Sequence, residues 1–265
     1  MTKEKMNFTK MVASGNDFIV VDSKLPGNPK YLAPRLCDRR FGIGADGLLL
    51  LGGAARGADL TMRIINADGS EAQMCGNGAR CAALYSGRKN PRISTLAGLI
   101  EARVSGKNVK IRLTDPRGMR EDVPVRVCGR LIRVNCIDTG VPHAVIFVKG
   151  LENIDVDGIG RMVRYYSRFA PAGTNVDFAE ETGCGSISVR TYERGVEGET
   201  LACGTGSTAS ALVFAAKKGL NNTVKVKTLS GEVLTVYFQK AKDKFTDVWL
   251  EGSARKVYRG VWQEG

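Results

Sequence analysis

Short runs of β-branched and aromatic residues, set between breaks rich in Gly, Asn and Ser, dominate the chain. They predict strands at 17–22, 59–66, 99–104, 108–113, 131–137, 144–148, 185–191, 232–239 and 245–250. Leu48 to Leu51, the longest aliphatic run, also reads as strand, and Ser105-Gly106 and Ser230-Gly231 fit hairpin turns. Helical periodicity is rarer. A helix over 158–169 would place Ile159, Met162, Val163 and Tyr166 on one core-facing stripe. Pro34 suits the first turn of a short helix running to Arg40. Small-residue stretches predict two more helices, one after Gly78 ending at Gly87 and one after Gly206. The latter has Lys217 and Lys218 in its last turn and Gly219 just beyond. The pattern is α+β.

The chain also repeats itself. NADGSEAQMCGNGARCAALYS (66–86) answers ERGVEGETLACGTGSTASALVF (193–214), with Glu71 four residues before Cys75 and Glu199 four before Cys203. Upstream, TMR (61–63) answers SVR (188–190) and GNDFIVV (15–21) answers GVPHAVIFV (140–148); downstream, TLAG (95–98) answers TLSG (228–231). The offset grows from 125 through 128 to 133 residues, so small insertions separate two copies of about 125 residues each. The expected domains are residues 1–122 and 123–253.

Composition narrows the classes of function. Hydrophobic content of 43% and charged content of 25% over 265 residues describe a globular chain. No apolar run approaches the roughly 18 residues of a membrane span, and MTKEKMNF lacks the apolar stretch of an export signal. A cytoplasmic protein with free thiols is expected. The single histidine, His143, excludes two-histidine zinc sites, and the seven cysteines contain no C-x-x-C. The net charge of +12 is dispersed: residues 1–122 hold 20 Lys and Arg against 12 Asp and Glu, the rest 19 against 15, and nowhere do three basic residues adjoin. No polybasic arm points to nucleic acid.

C-G-x-G carries the chemistry. GIGADG (42–47) and GTGSTA (204–209) imitate a dinucleotide fingerprint, but the first leads into Leu48 to Leu51 and the second lacks an acid some twenty residues on. A cysteine at a helix N-terminus meets unpaired N–H groups and the positive end of the helix dipole, which lower a thiol pKa and hold an anion. Two such cysteines on equivalent positions of duplicated halves could present thiols to opposite sides of one carbon, the geometry of stereoinversion without a cofactor. A non-catalytic module with a regulatory disulfide is the alternative from another class.

SGNDFIVVD (14–22), RRFGIGADGLLLL (39–51), NADGSEAQMCGNGARC (66–81), GVPHAV (140–145), GTNVDF (173–178) and YERGVEGETLACGTG (192–206) resemble the diaminopimelate epimerase family over nearly the whole chain. Proline racemase and the phenazine-pathway isomerase share that family's general plan. The resemblance implies two pseudo-symmetric α+β domains, each a β-barrel-like sheet around a central helix, with a last strand in about 254–265 packing back on the first. It implies a homodimer that epimerises LL- to meso-2,6-diaminopimelate with no cofactor, metal or nucleic acid. Cys75 and Cys203 would be the acid–base pair. Asn16, Asn66, Asn77, Asn175, Glu193 and Arg194 would bind substrate, and Gly76, Gly204 and Thr205 would offer N–H groups to the reacting carboxylate. His143 and Glu193 would tune the thiols. Asn16 and Asn66 also read as turn residues, and His143 after Pro142 as a strand-end histidine. Val141 and Gly47 stand where many members have asparagine and some have glutamine.

Overall fold

A computed structural model describes residues 5–22, 25–54, 57–242 and 244–263. Among these the chain is mixed α and β, mostly strand, with four α-helices. Contacts divide it into two compact units, Met1–Ile111 with Gly252–Gly265, and Arg112–Glu251.

The first unit begins with β1 (Lys5–Ala13), β2 (Asn16–Val21), α1 (Pro29–Cys37), β3 (Gly47–Gly52), β4 (Leu60–Asn66) and β5 (Glu71–Ala72). It continues with α2 (Gly76–Tyr85), β6 (Arg92–Thr95), β7 (Gly98–Ser105) and β8 (Asn108–Arg112). The second begins with β9 (Arg117–Val127), β10 (Arg130–Asp138), β11 (Pro142–Phe147), α3 (Val156–Arg164), β12 (Asn175–Gly183) and β13 (Ser186–Glu193). It continues with β14 (Gly198–Thr200), α4 (Gly204–Lys218), β15 (Thr223–Lys227), β16 (Val233–Ala241) and β17 (Lys244–Ser253). The final strand, β18 (Arg255–Gln263), pairs with β1; residues 264 and 265 lie outside the described residues.

The pairing order is the same in both units. In the first, β18 and β2 flank β1 antiparallel, β2 runs parallel to β3, and β3 is antiparallel to β4. Strand β4 carries β5 antiparallel and β6 parallel, and β7 and β8 follow antiparallel. In the second, β9 and β11 flank β10 antiparallel, β11 runs parallel to β12, and β12 is antiparallel to β13. Strand β13 carries β14 antiparallel and β15 parallel, and β16 and β17 follow antiparallel. Parallel neighbours cannot be joined by a tight hairpin and need a crossover. The helices supply it: α1 joins β2 to β3 as α3 joins β11 to β12, while α2 and α4 lie on the later crossovers.

Burial follows from side-chain size. Every residue of α4 from Gly206 to Ala215 is buried, and α2 is buried from Asn77 to Ala83. Such helices are small or apolar on nearly all faces because strands pack around them. Separate apolar clusters lie under the other helices, with Leu36 of α1 among Ile19 and Leu48, and Val163 of α3 among Val134 and Phe178.

Several elements differ from the sequence reading. Asn28 caps α1 by accepting the Lys30 N–H at 3.0 Å, with Pro29 at the helix start, so Pro34 lies inside the helix and Arg40 beyond it. Helix α3 starts earlier than expected because Asp155 accepts the Gly158 N–H at 2.9 Å. It stops at Arg164, before Tyr166, and Met162 of the expected core stripe is 40% exposed. Residues 112–122, read as part of the first half, lie with the second unit. There the Leu113 N–H donates to the Val248 carbonyl at 2.9 Å and β9 pairs along β10.

Candidate active site

In the first unit Cys75 is the residue that caps α2. Its extended backbone (φ −144°, ψ 119°) turns the chain into the helix, and its Sγ accepts the Gly78 N–H at 3.4 Å. Asn16, at the start of β2, stands beside it. Its Oδ1 lies 3.8 Å from Cys75 Sγ and 3.5 Å from Asn77 Nδ2, and its own amide donates to Asp46 at 2.7 Å. Arg80, fully buried one turn into α2, donates to the Asn77 side chain and to Ser14 Oγ. Asn66 ends β4 with its amide on Ser70 Oγ at 3.0 Å. Gly76 is the first residue of α2.

A charged cluster lies behind Asn16, built from Asp17, Arg39 and Asp46 of the SGNDFIVVD and RRFGIGADG strings and from Lys10, which stands outside them. Arg39 bridges Asp17 and Asp46 at 2.8 and 2.7 Å, and buried Lys10 reaches Asp17 at 2.8 Å and the Gly44 carbonyl. Burial alone would raise the Asp17 pKa, but the hydrogen bonds from Arg39 and Lys10 hold it down at about 2. The cluster fixes Asp46, and Asp46 fixes the Asn16 amide.

In the second unit Cys203 caps α4 with a similar backbone (φ −109°, ψ 116°), and its Sγ lies 3.4 Å from Thr205 Oγ1. Gly204 is the first helical residue and Thr205 the second. Glu193, at the end of β13, accepts from Thr200 Oγ1 at 3.0 Å. Asn175 has both ends of its amide engaged: it donates to the Pro142 carbonyl at 3.1 Å and accepts the Arg194 N–H at 2.9 Å. Asn175 therefore shapes the backbone that carries Arg194. Below α4, His143 Nδ1 meets Asp177 Oδ2 at 2.7 Å, and Thr191 Oγ1 donates to Asp177 Oδ1 at 2.8 Å.

The glutamates four residues before each cysteine are explained by their partners. Arg63 on β4 grips Glu71 through two bonds of 2.7 and 2.9 Å, and Arg190 on β13 grips Glu199 through two of 2.6 and 2.8 Å. Each pair clamps the short strand from which the chain enters the cysteine-capped helix.

The two thiols sit in unlike surroundings. Cys75 is half-buried, whereas Cys203 is 6% exposed. Desolvation pushes the Cys203 thiol well above its ordinary pKa, and the charges of Glu193 and Asp177 add to that rise; the nearby Thr205 hydroxyl and Gly206 amide oppose it. The helix N-terminus does not dominate there, contrary to the expectation of a lowered pKa at both cysteines. Burial likewise raises Glu193, against the pull of Thr200, His143 and Cys203. All seven cysteines are free thiols. Among the described residues no group of three or more His, Cys, Asp and Glu could hold a metal, and no helix is long and apolar enough to cross a membrane.

Known structures share this fold. The phenazine biosynthesis protein of the PhzF family from Bacillus anthracis superposes with a TM-score of 0.76 at 17% identity, covering 98% of this chain and 99% of that one. A probable proline racemase from Agrobacterium radiobacter superposes with a TM-score of 0.73 at 17% identity, covering 98% and 93%. These two carry the fold. Sequence carries the family. The diaminopimelate epimerase of Hydrogenobaculum sp. is 40% identical over 276 residues, covering 97% of this chain and 98% of that protein. The diaminopimelate epimerase of Aquifex aeolicus is 41% identical over 279 residues, covering 98% of each. The family model for diaminopimelate epimerase matches residues 8–117 and 135–257, and with those matches the chain belongs to the diaminopimelate epimerase family.

Proposed function

We propose that this protein epimerises LL-2,6-diaminopimelate to the meso form by a two-base thiol/thiolate mechanism that needs no cofactor, in lysine and peptidoglycan precursor biosynthesis. One observation carries the reading: in each of two units with the same strand order, a cysteine caps the buried helix. Each unit is taken as a β-barrel-like sheet around that helix, the two being pseudo-symmetric. The thiols then serve opposite faces of one α-carbon.

The chemistry is a proton exchange. A thiolate takes the α-proton and the C–H electron pair stays on the carbon, delocalised into the α-carboxylate. The opposite thiol returns a proton to the other face, which inverts the centre with no net change in atoms or electrons. Half-buried Cys75, with the Gly78 N–H on its sulfur, suits the thiolate of the resting enzyme. Buried Cys203 beside Glu193 suits the protonated partner. Backbone N–H groups of Gly76, Gly204 and Thr205 stabilise the charge developing on the carboxylate. Asn16, Asn66, Asn77, Asn175, Glu193 and Arg194 receive the substrate's ammonium and carboxylate groups, and His143 and Glu193 tune the thiols. The proposal includes a cytoplasmic homodimer, as the family resemblance implies.

The experiment is solvent exchange. Purified protein in D2O, freed of metals and pyridoxal phosphate, incorporates deuterium at the α-carbon of LL- and meso-diaminopimelate. Exchange that appears only after pyridoxal phosphate or a divalent ion is restored overturns the mechanism.

A further inference from the structure

The duplicated fold contains its own control for the pair under α4. In the first unit Phe18 on β2 is registered with Gly47 and Leu49 with Ile64, and in the second His143 on β11 is registered with Asn175 and Asp177 with Thr191. The matched pairings make Phe18 the counterpart of His143 and Leu49 the counterpart of Asp177. The helices agree: a Cβ on Gly78 would come 3.1 Å from Leu49 Cδ2, and one on Gly206 would come 2.2 Å from Asp177 Oδ1.

One copy of the fold thus fills these positions with hydrocarbon, at 3% exposure for Phe18 and 0% for Leu49. The other holds an ionisable pair equally deep, at 1% for His143 and 0% for Asp177. Well-packed apolar residues in place of a buried ionic pair are often neutral or stabilising. The scaffold therefore does not require the pair. Its place is functional ground, in the unit of Cys203 and with Asp177 directly under the third residue of the helix that Cys203 caps.

We infer that Asp177 is a positioning residue for the reaction, acting through His143 on the Cys203 thiol. Its carboxylate receives the Thr191 hydroxyl on one oxygen and the His143 ring on the other, so the network puts the proton on Nδ1. Nε2, the other ring nitrogen, is buried without a hydrogen-bond partner among the described residues. The ionisable groups that act on Cys203 in this unit are Glu193 on β13 and Asp177 on β12, whose charges help to keep the thiol protonated, and His143 on β11 acts on Glu193 in turn. The inference rests on the epimerase reading for its place in turnover, but its effect on the thiol does not need substrate.

Two variants test it. Asp177→Asn keeps the shape and can keep both hydrogen bonds while removing the charge. The double variant His143→Phe with Asp177→Leu installs the pair that the first unit already packs. In substrate-free protein, iodoacetamide labelling of Cys203, read by peptide mass spectrometry over pH 6–10, should be severalfold faster in Asp177→Asn, with its rise displaced to lower pH. With diaminopimelate, kcat should fall about 10- to 100-fold with KM little changed. The double variant should melt at or above the wild-type temperature and be nearly inactive. Unchanged labelling in Asp177→Asn overturns the inference whatever the substrate proves to be. So does a double variant that turns over normally. Failure of the wild type to exchange diaminopimelate refutes the epimerase reading alone, because the labelling result still stands.

Discussion

Gly206 and Asp177 approach so closely that the helix backbone rests on the carboxylate: a Cβ at residue 206 would lie 2.2 Å from Asp177 Oδ1 and 3.2 Å from Thr191 Oγ1. Glycine is needed there for space. Gly206→Ala should push Asp177 off His143 and cost about 1–3 kcal/mol by overpacking. Gly78→Ala crowds only the flexible end of Leu49, at 3.1 Å, with Cys75 Cβ and Sγ at ordinary contact distances of 3.6 and 3.8 Å, and should cost roughly 1 kcal/mol or less. Urea denaturation of both variants, beside turnover, checks this. Equal losses would mean that the tight approach under α4 does not matter.

The two Arg–Glu clamps are equivalent in position and unequal in burial. Arg63 and Glu71 are 52% and 30% exposed in their side chains, Arg190 and Glu199 only 19% and 17%. Arg190 also donates to the carbonyls of Leu151 and Ile154, at 2.9 and 3.0 Å. Glu71→Gln should cost no more than about 1 kcal/mol, as exposed pairs do. Glu199→Gln should cost about 1–3 kcal/mol, because it leaves a half-satisfied guanidinium in a drier place. Thermal melts at low and high salt separate the two, with only the Glu71 effect fading in salt.

Glu193 gives stability a pH dependence of definite sign. Burial raises its pKa in the fold, so the native state favours the protonated carboxyl and loses stability as pH climbs through the folded pKa. Below the ordinary carboxylate value the penalty is absent. Glu193→Gln, which mimics the neutral form and still accepts from Thr200, should raise the melting temperature at pH 8 and leave it unchanged at pH 4. Turnover should fall meanwhile. A stabilisation equal at both pH values would contradict the buried-carboxylate account.

What the sequence made legible was local and repeated. The C-G-x-G strings predicted both cysteine-capped helices, and Lys217, Lys218 and Gly219 marked the end of α4, where Gly219 takes φ +68°. Less legible was whatever depended on partners distant in the chain. Strand β12 carries Asp177, Glu180 and Glu181, so it showed no apolar run, yet Asp177 is buried because His143 and Thr191 satisfy its carboxylate. Strand β9 turns most of its polar residues outward and was equally silent. The helix dipole suggested two acidic thiols, but at Cys203 desolvation and two carboxylates outweigh it. The repeats carry one further signal: Phe18 stands against His143, and such a departure from apolar to ionisable marks where function has been added to a duplicated scaffold.

The cysteines themselves carry the last prediction. On the proposed mechanism each turn of the reaction uses one thiolate and one thiol, with the roles exchanged between directions, so neither residue is dispensable. Serine in either position replaces a group of pKa about 8.5 with a barely acidic alcohol, and Cys75→Ser or Cys203→Ser should each lose about two to four orders of magnitude in epimerisation. The surviving thiol still serves its own face. Each single variant should therefore retain slow elimination from a β-halogenated substrate analogue of one configuration at the reacting carbon, and the two variants should prefer opposite configurations. Cys184, an exposed thiol, and Cys81, buried in α2 beyond the cap, provide the controls. Cys184→Ser and Cys81→Ala should turn over at close to the wild-type rate, as long as circular dichroism shows the fold intact. Chiral chromatography of unreacted analogue after incubation with each variant decides the matter. The same preference in Cys75→Ser and Cys203→Ser, or near-normal epimerisation in either, would rule out two bases working from opposite faces.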